Sequence, residues 1–265
     1  MSQSLFISHG GGPLPLLNDP SHAELTRALK DLAQIINRPK LILIVSAHWE
    51  ASTPTITSVL HPSLLFDYSG FPPESYEIKY PVLGAPEHAE RLTKELRQFG
   101  FRPKHDAERG LDHGVFVPLK IMYPEADIPV LQISLIKGLD PEIHLTLGEA
   151  IRQYADQEEG VLLIGSGFSF HNMRAFFSAS TPQTRLQNES FEDWLEQVCA
   201  SRMLSYEERR DHLINWESAP YARYCHPREE HLIPLHVCVG FARSAATKTT
   251  HVKVLNHSSS MFYWA

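Results

Sequence analysis

The sequence predicts an α/β fold: a single catalytic domain over residues 1–265, with a central mixed, largely parallel sheet flanked by helices. Three observations lead there. Short runs apolar at every position recur along the chain, segments with helical spacing of apolar residues lie between them, and the alternation continues through most of the length. Strands apolar on both faces are strands covered on both sides, which favours parallel pairing. The 265 residues, 43% hydrophobic and 21% charged, suffice for one core of ordinary size.

The elements follow in order. Leu5–Ser8 is the first strand candidate. The segment DPSHAELTRALKDLAQII comes next. It has Asp19 or Ser21 as N-cap, Glu24 nearby, and Leu25, Ala28, Leu29, Leu32, Ile35 and Ile36 at helical spacing. Leu41–Ala47 is the second strand. GAPEHAERLTKELRQFG is the second helix, opened by Pro86 and closed by Gly100. Val130–Ile136 and Gly160–Ser166 are further strands, with the helix PEIHLTLGEAIRQYADQ between them. TRLQNESFEDWLEQVCA is another helix, and the apolar run Leu235–Phe241 reads as a last strand. Residues 61–85 break the alternation. They are rich in Pro, Gly and aromatics and have no helical period. Loops this long are usually functional or disordered, and the aromatics argue against disorder, so this one is expected to pack over a site.

Several classes are disfavoured. The net charge is −7 and no Lys/Arg cluster stands out, which speaks against a nucleic-acid partner. No apolar run approaches the roughly 20 residues of a membrane span, and the start lacks the basic and apolar regions of a signal peptide. Cys199, Cys225 and Cys238 share no close spacing, so neither a disulfide framework nor a paired-cysteine metal knuckle is expected. A reducing cytoplasm is the simplest setting.

Histidine is the unusual residue, with fifteen copies. Ligands of open α/β sheets bind beyond the carboxyl ends of the strands. His9 follows Leu5–Ser8, His48 follows Leu41–Ala47, and His171 follows GVLLIGSGFSF. If these strands are parallel, all three histidines leave the sheet at one edge and can meet. His113 lies in RGLDHGVFVPL, and His226 and His231 lie in CHPREEHLIPL. Imidazoles suit Zn, Fe, Ni or Cu. Gly10-Gly11-Gly12 would turn the chain sharply beside such a site and leave room for a substrate, as would Gly165 and Gly167 before His171. Glu50 offers an acceptor for a ligand imidazole. Pro227, Glu229 and Glu230 suit a helix first turn, which would hold a ligand there rigidly. The remaining histidines, His22 and His236 among them, are expected to be structural or superficial.

The words SHGGGP, VSAHWE, DYSGFPPESYEIKYPVLGAPE, GLDHGVFVPLKIMYPEADIPVLQISL, LLIGSGFSFHNMR and HPREEHLIPLHVCVG occur in one order over residues 5–240. Together they resemble the LigB-like class III extradiol ring-cleavage dioxygenases, most closely the 4,5-DOPA extradiol dioxygenase group. The resemblance implies one non-haem metal in a cleft. It matches His9, His48 and His231 to metal ligands. His171 matches a histidine at the metal that is the general base in related enzymes, so it stands in both roles. His113 matches a histidine that lines the substrate pocket. Better-known extradiol enzymes use two histidines and a glutamate, so Glu230 is the alternative third ligand to His231.

The implied activity is Fe(II)-dependent cleavage of a catecholic, DOPA-like ring with O₂, both oxygen atoms entering the product. Catechol and O₂ are the expected partners, and the chain is expected to be a monomer or homodimer. Tyr68, Phe71 and Tyr76, with Tyr80, are expected to wall the ring's pocket, and the aromatics of SSSMFYWA either pack near it or cap the core. An all-histidine site also accommodates Zn(II). Two alternatives therefore stand beside the first: a zinc hydrolase on the same histidines, and a non-catalytic Memo-like binding protein.

Overall fold

Four parallel strands form the middle of one sheet and bring three chain ends to the same edge. The computed structural model describes residues 2–265. In chain order it contains β1 (Gln3–Ser8), α1 (Ala23–Ile35), β2 (Leu41–Ala51), β3 (Thr55–Thr57) and α2 (Pro86–Gln98). Then come β4 (Lys104–Asp106), α3 (His113–Met122), β5 (Val130–Ile136), α4 (Pro141–Ala155) and β6 (Val161–Gly167). The last part holds the short α5 (Met173–Phe176), α6 (Pro182–Ala200), α7 (Tyr206–Ile214), α8 (Ala222–Cys225), α9 (Ile233–Ala242), β7 (Lys248–Val254) and β8 (His257–Trp264). The strand order is β4-β3-β5-β2-β6-β1-β8-β7. β6 is flanked by β1 and β2, both parallel to it, and β2 is parallel to β5. β8 closes antiparallel on β1. The sheet is mixed and mostly parallel, as the doubly apolar strands predict.

Alternate residues of each central strand enter opposite cores. Leu5, Ile7, Ile42, Ile44, Leu162 and Ile164 pack with α1 and α3. Leu41, Leu43, Val45, Leu131, Ile133 and Leu163 pack with α2, α4 and α9 on the other face. A third cluster, containing Phe6, Phe191, Leu195 and Phe262, joins α6 to β8. Pro86 opens α2 as expected. Asp19 instead caps the preceding 3₁₀ turn, accepting from Ser21 N, and α1 starts after His22 without a side-chain cap. No helix among the described residues is long and apolar enough to cross a membrane.

The run Leu235–Phe241 is helical, not extended. It is the body of α9, whose every residue from Ile233 to Phe241 is buried. A helix enclosed on all sides is apolar on all sides and carries no 3.6-residue signature. It lies between α4 and β6, and glycines allow the approach. A Cβ on Gly240 would stand 2.0 Å from Leu145 O, and one on Gly148 2.1 Å from Val237 O. The C-terminal aromatics belong to β8, where Phe262, Tyr263 and Trp264 pair with β1, so they cap the core rather than the sheet edge.

Because Gly240 sits at a backbone-to-backbone contact, Gly240→Ala should destabilise the protein by about 1–3 kcal/mol through overpacking. Chemical denaturation measures this, and unchanged stability would mean that α4 and α9 do not touch as described.

Candidate metal centre

His9, His48 and His231 reach one point from three separate elements. His9 directly follows β1, and its N–H donates to Gly167 O at the end of β6 (3.2 Å). His48 lies on a bulge of β2: Val45 pairs with Ile133 and Glu50 with Leu135, so Ser46–Trp49 loop out opposite Ser134 alone. Bulges re-aim side chains beside functional sites. His231 ends the turn before α9, and its carbonyl accepts from Phe168 N (2.9 Å). A Cβ on Gly167 would stand 2.1 Å from that carbonyl. Gly167 therefore lets the two backbones touch, and Gly165 similarly meets Pro234 O. Neither clears space for a substrate, contrary to the expectation. One ligand atom each from His9, His48 and His231 lies within 4.8 Å of the others.

The hydrogen bonds fix which ring nitrogens are free. Ser166 Oγ–H donates to Gly114 O, so its oxygen can only accept from His9 Nδ1 (3.0 Å). His9 Nε2 is then unprotonated, and it lies 3.1 Å from His48 Nε2. His231 Nδ1 donates to Glu230 Oε1 (2.9 Å), and His48 Nδ1 faces Asp67 Oδ2 at 3.6 Å. His9 and His231 are thus held at Nδ1 from behind, the arrangement that orients histidine ligands on metals, while the His48–Asp67 contact is too long for a hydrogen bond. Burial, and then neighbouring imidazolium charge, holds His9 and His231 well below the ordinary histidine range. Burial and His113 bring His48 down to about 3. Three imidazoles that burial keeps neutral, with one ligand atom each converging, form a donor set that fits a divalent metal.

Two further histidines flank the cluster. His113 opens α3, 4.0 Å from His48 between ring centroids, and its Nδ1 bonds Asp67 Oδ1 (2.7 Å). Burial raises the Asp67 carboxyl, but the hydrogen bonds and charge of His113, together with His48, hold the group below its ordinary value. His171 stacks on His231 with 3.4 Å between centroids, and its Nδ1 lies 3.4 Å from Glu230 Oε1. Burial raises Glu230 as well, and the hydrogen bond from His171, with Arg228 beyond, brings it below its usual range. Glu230 therefore stands behind His231 and His171. Glu50 does not serve a ligand imidazole: both its oxygens bond Arg228 (2.6 and 2.8 Å).

The cluster forms the floor of a cavity of about 300 Å³. Gly10, Gly11 and Gly12 line one side, Tyr68 and Phe71 another, and Phe168 and Phe176 a third. The φ values of Gly10 (85°) and Gly12 (55°) place that turn in the left-handed region. The long loop expected over the site does supply Tyr68 and Phe71. Tyr76 packs behind Tyr68 and outside the cavity lining, and buried Tyr80 donates to Tyr123 O. His226 does not join the cluster either: its Nε2 donates to Ser169 O (2.7 Å). Sequence reasoning missed Asp67 and Ser166, while His22 is structural, as expected. His22 is buried, and its Nε2 accepts from Gly11 N (3.0 Å), pinning the glycine turn.

The family described as the catalytic LigB subunit of aromatic ring-opening dioxygenase matches residues 5–264. The chain belongs to this family. Its LigB-family relatives include dioxygenase tasH of Hapsidospora irregularis, 39% identical over 89% of this chain and 76% of that one. The 4,5-DOPA dioxygenase extradiol of Beta vulgaris is 38% identical over 91% of this chain and 87% of its own. The crystal structure of uncharacterized protein JW3007 from Escherichia coli K12 aligns with a TM-score of 0.75 and 25% identity over 99% of both chains. As a LigB-family member the protein is an oxidoreductase of the aromatic ring-opening, extradiol dioxygenase type.

The histidines outside the cluster give a pH prediction. His236 is buried, donates to Leu213 O (3.0 Å), and is pushed down to about 4 by burial. Unfolded, it takes up a proton near pH 6.5. The stability it confers is complete above that pH and is lost as pH falls toward 4. His236→Gln should therefore flatten the dependence of unfolding free energy on pH by about 1.4 kcal/mol per unit between pH 6 and 4.5. Urea denaturation across that range measures it, and parallel slopes would show that His236 protonates while folded.

Proposed function

We propose that the protein, acting as one catalytic domain, is a non-haem Fe(II)-dependent dioxygenase that opens a catechol ring beside its diol. The observation that carries this is the cluster of three neutral, converging imidazoles, with two further histidines beside it, at the floor of a ring-sized apolar cavity. His9, His48 and His231 would hold the ion. When bound, it would supply the positive charge that lowers the catechol hydroxyl pKa values and the redox centre that lets O₂ react with the ring. Both atoms of O₂ enter the product, so no external reductant is needed.

The chain's own residues do the rest. Gly10–Gly12 leave one side of the cluster without side chains, so a flat ring can approach. Tyr68, Phe71 and Phe168 hold the ring faces and exclude water. His171, with Nδ1 toward Glu230, presents Nε2 as the base that takes a catechol proton, work suited to an imidazole. His113 is an aspartate–histidine pair. Bonded to Asp67 from behind, it would stabilise by hydrogen bonding the negative charge developing on oxygen. Zn(II) fits the same donor set, and the hydrolase alternative would act without oxygen. The uncharged walls beside the cluster favour a flat aromatic substrate over a hydrolysable polar one.

Anaerobic loading with Fe(II), addition of a catechol panel and admission of air should give a yellow product with one O₂ consumed per ring. No oxygen uptake across the panel, with iron shown bound, contradicts the proposal. His171→Ala should lower kcat by about 10²–10⁴ while the iron content stays unchanged. Loss of iron in that variant would make His171 a ligand rather than the base.

A further inference from the structure

Among the described residues lining the cavity there is no Lys, Arg, Asp or Glu. Its polar side chains are five histidines and Tyr68, and the Tyr68 hydroxyl already donates to Ser75 O (2.6 Å). The two carboxylates behind the histidines are engaged as well. Asp67 holds His113 and faces His48, and Glu230 holds His231, with His171 and Arg228 close by. The Arg109 guanidinium is turned away to Asp112 and His48 O. A charged substituent on the ring would find no charged Lys, Arg, Asp or Glu side chain in this lining to pair with.

The mouth has the opposite character. Leu14, Leu255, Met173 and Phe177 complete the lining, and the exposed Met173 and Phe177 stand at its solvent side. Met173 and Phe177 lie on and just after the one-turn helix that follows His171, and they are 53% and 83% exposed. Exposed apolar side chains gathered at a cavity mouth mark a surface that something apolar covers. At about 300 Å³ the cavity lies at the small end of ligand pockets, so anything larger than the ring reaches this lip.

We infer that the preferred substrate is a catechol bearing an uncharged apolar substituent, seated against the lip formed by Met173 and Phe177, and not an amino acid or an aromatic acid. The inference rests on the reading of this cavity as the ring-binding site, and it narrows the DOPA-like expectation: the ring of DOPA fits, but its ammonium and carboxylate find no partner.

The test is a binding series read by calorimetry on protein without added metal and on Zn(II)-loaded protein under argon. Catechol, 4-methyl-, 4-ethyl- and 4-butylcatechol are compared with L-DOPA and 3,4-dihydroxybenzoate. Affinity should rise roughly two- to fourfold per methylene, the range for partial to full burial. Butylcatechol should bind at least tenfold more tightly than either charged compound. A flat alkyl series, or charged compounds bound as tightly as butylcatechol, overturns the inference. Phe177→Ser, a change at an exposed position, should reduce the gain per methylene. An unaltered gain removes Phe177 from the lip. Kinetics with Fe(II) then give the same ranking in kcat/KM. Because the binding series is read without turnover, an alkyl trend without ring cleavage would sink the dioxygenase proposal alone, and cleavage without a trend would sink this inference alone.

Discussion

The site depends on what stands behind the Nδ1 of three clustered imidazoles. A neutral histidine has one donor and one acceptor nitrogen, so whatever takes the donor decides where the lone pair points. Ser166 does this for His9, Asp67 faces His48, and Glu230 does it for His231. The consequence is that the His9 Nε2 lone pair faces His48 Nε2 at 3.1 Å. Burial keeps the rings from taking up protons. A bound cation would accept the lone pairs that the cluster turns inward.

The same constraint organises the surroundings. Asp67 and Glu230 each serve two histidines, one in the cluster and one beside it. The groups behind the cluster thus also hold His113 and His171 beside it. The negative charge stands behind the rings, leaving the cavity lining free of carboxylates. In the proposed reaction a neutral ligand set would give a catechol's oxygens full access to the positive charge of the metal, where a carboxylate ligand would partly cancel it.

Much of this was legible in the sequence because the central strands are short and apolar at every position. That pattern located β1, β2, β5 and β6 within a residue or two at most ends and implied parallel pairing, and parallel pairing put His9, His48 and His171 at one edge. The last part of the sheet was not legible. α9 is enclosed on all sides, so its apolar run carried no period and read as a strand. β3 and β4 have three residues each, too few for a pattern. The orienting groups were hidden for a different reason. Ser166 lies 157 residues from His9, and nothing in its local sequence records that contact. Asp67 sat in view within the aromatic loop that was expected to cover the site. Its role depends on α3, 46 residues away, folding against it.

The central claim is that three imidazoles, and no carboxylate, hold the metal. An anomalous-difference map from crystals of the Fe(II)-loaded protein tests it most directly. The account predicts one strong peak bonded to a ring nitrogen of each of His9, His48 and His231, with Glu230 still on His231 Nδ1. A peak bonded to a Glu230 oxygen, or lying away from these three rings, would contradict it.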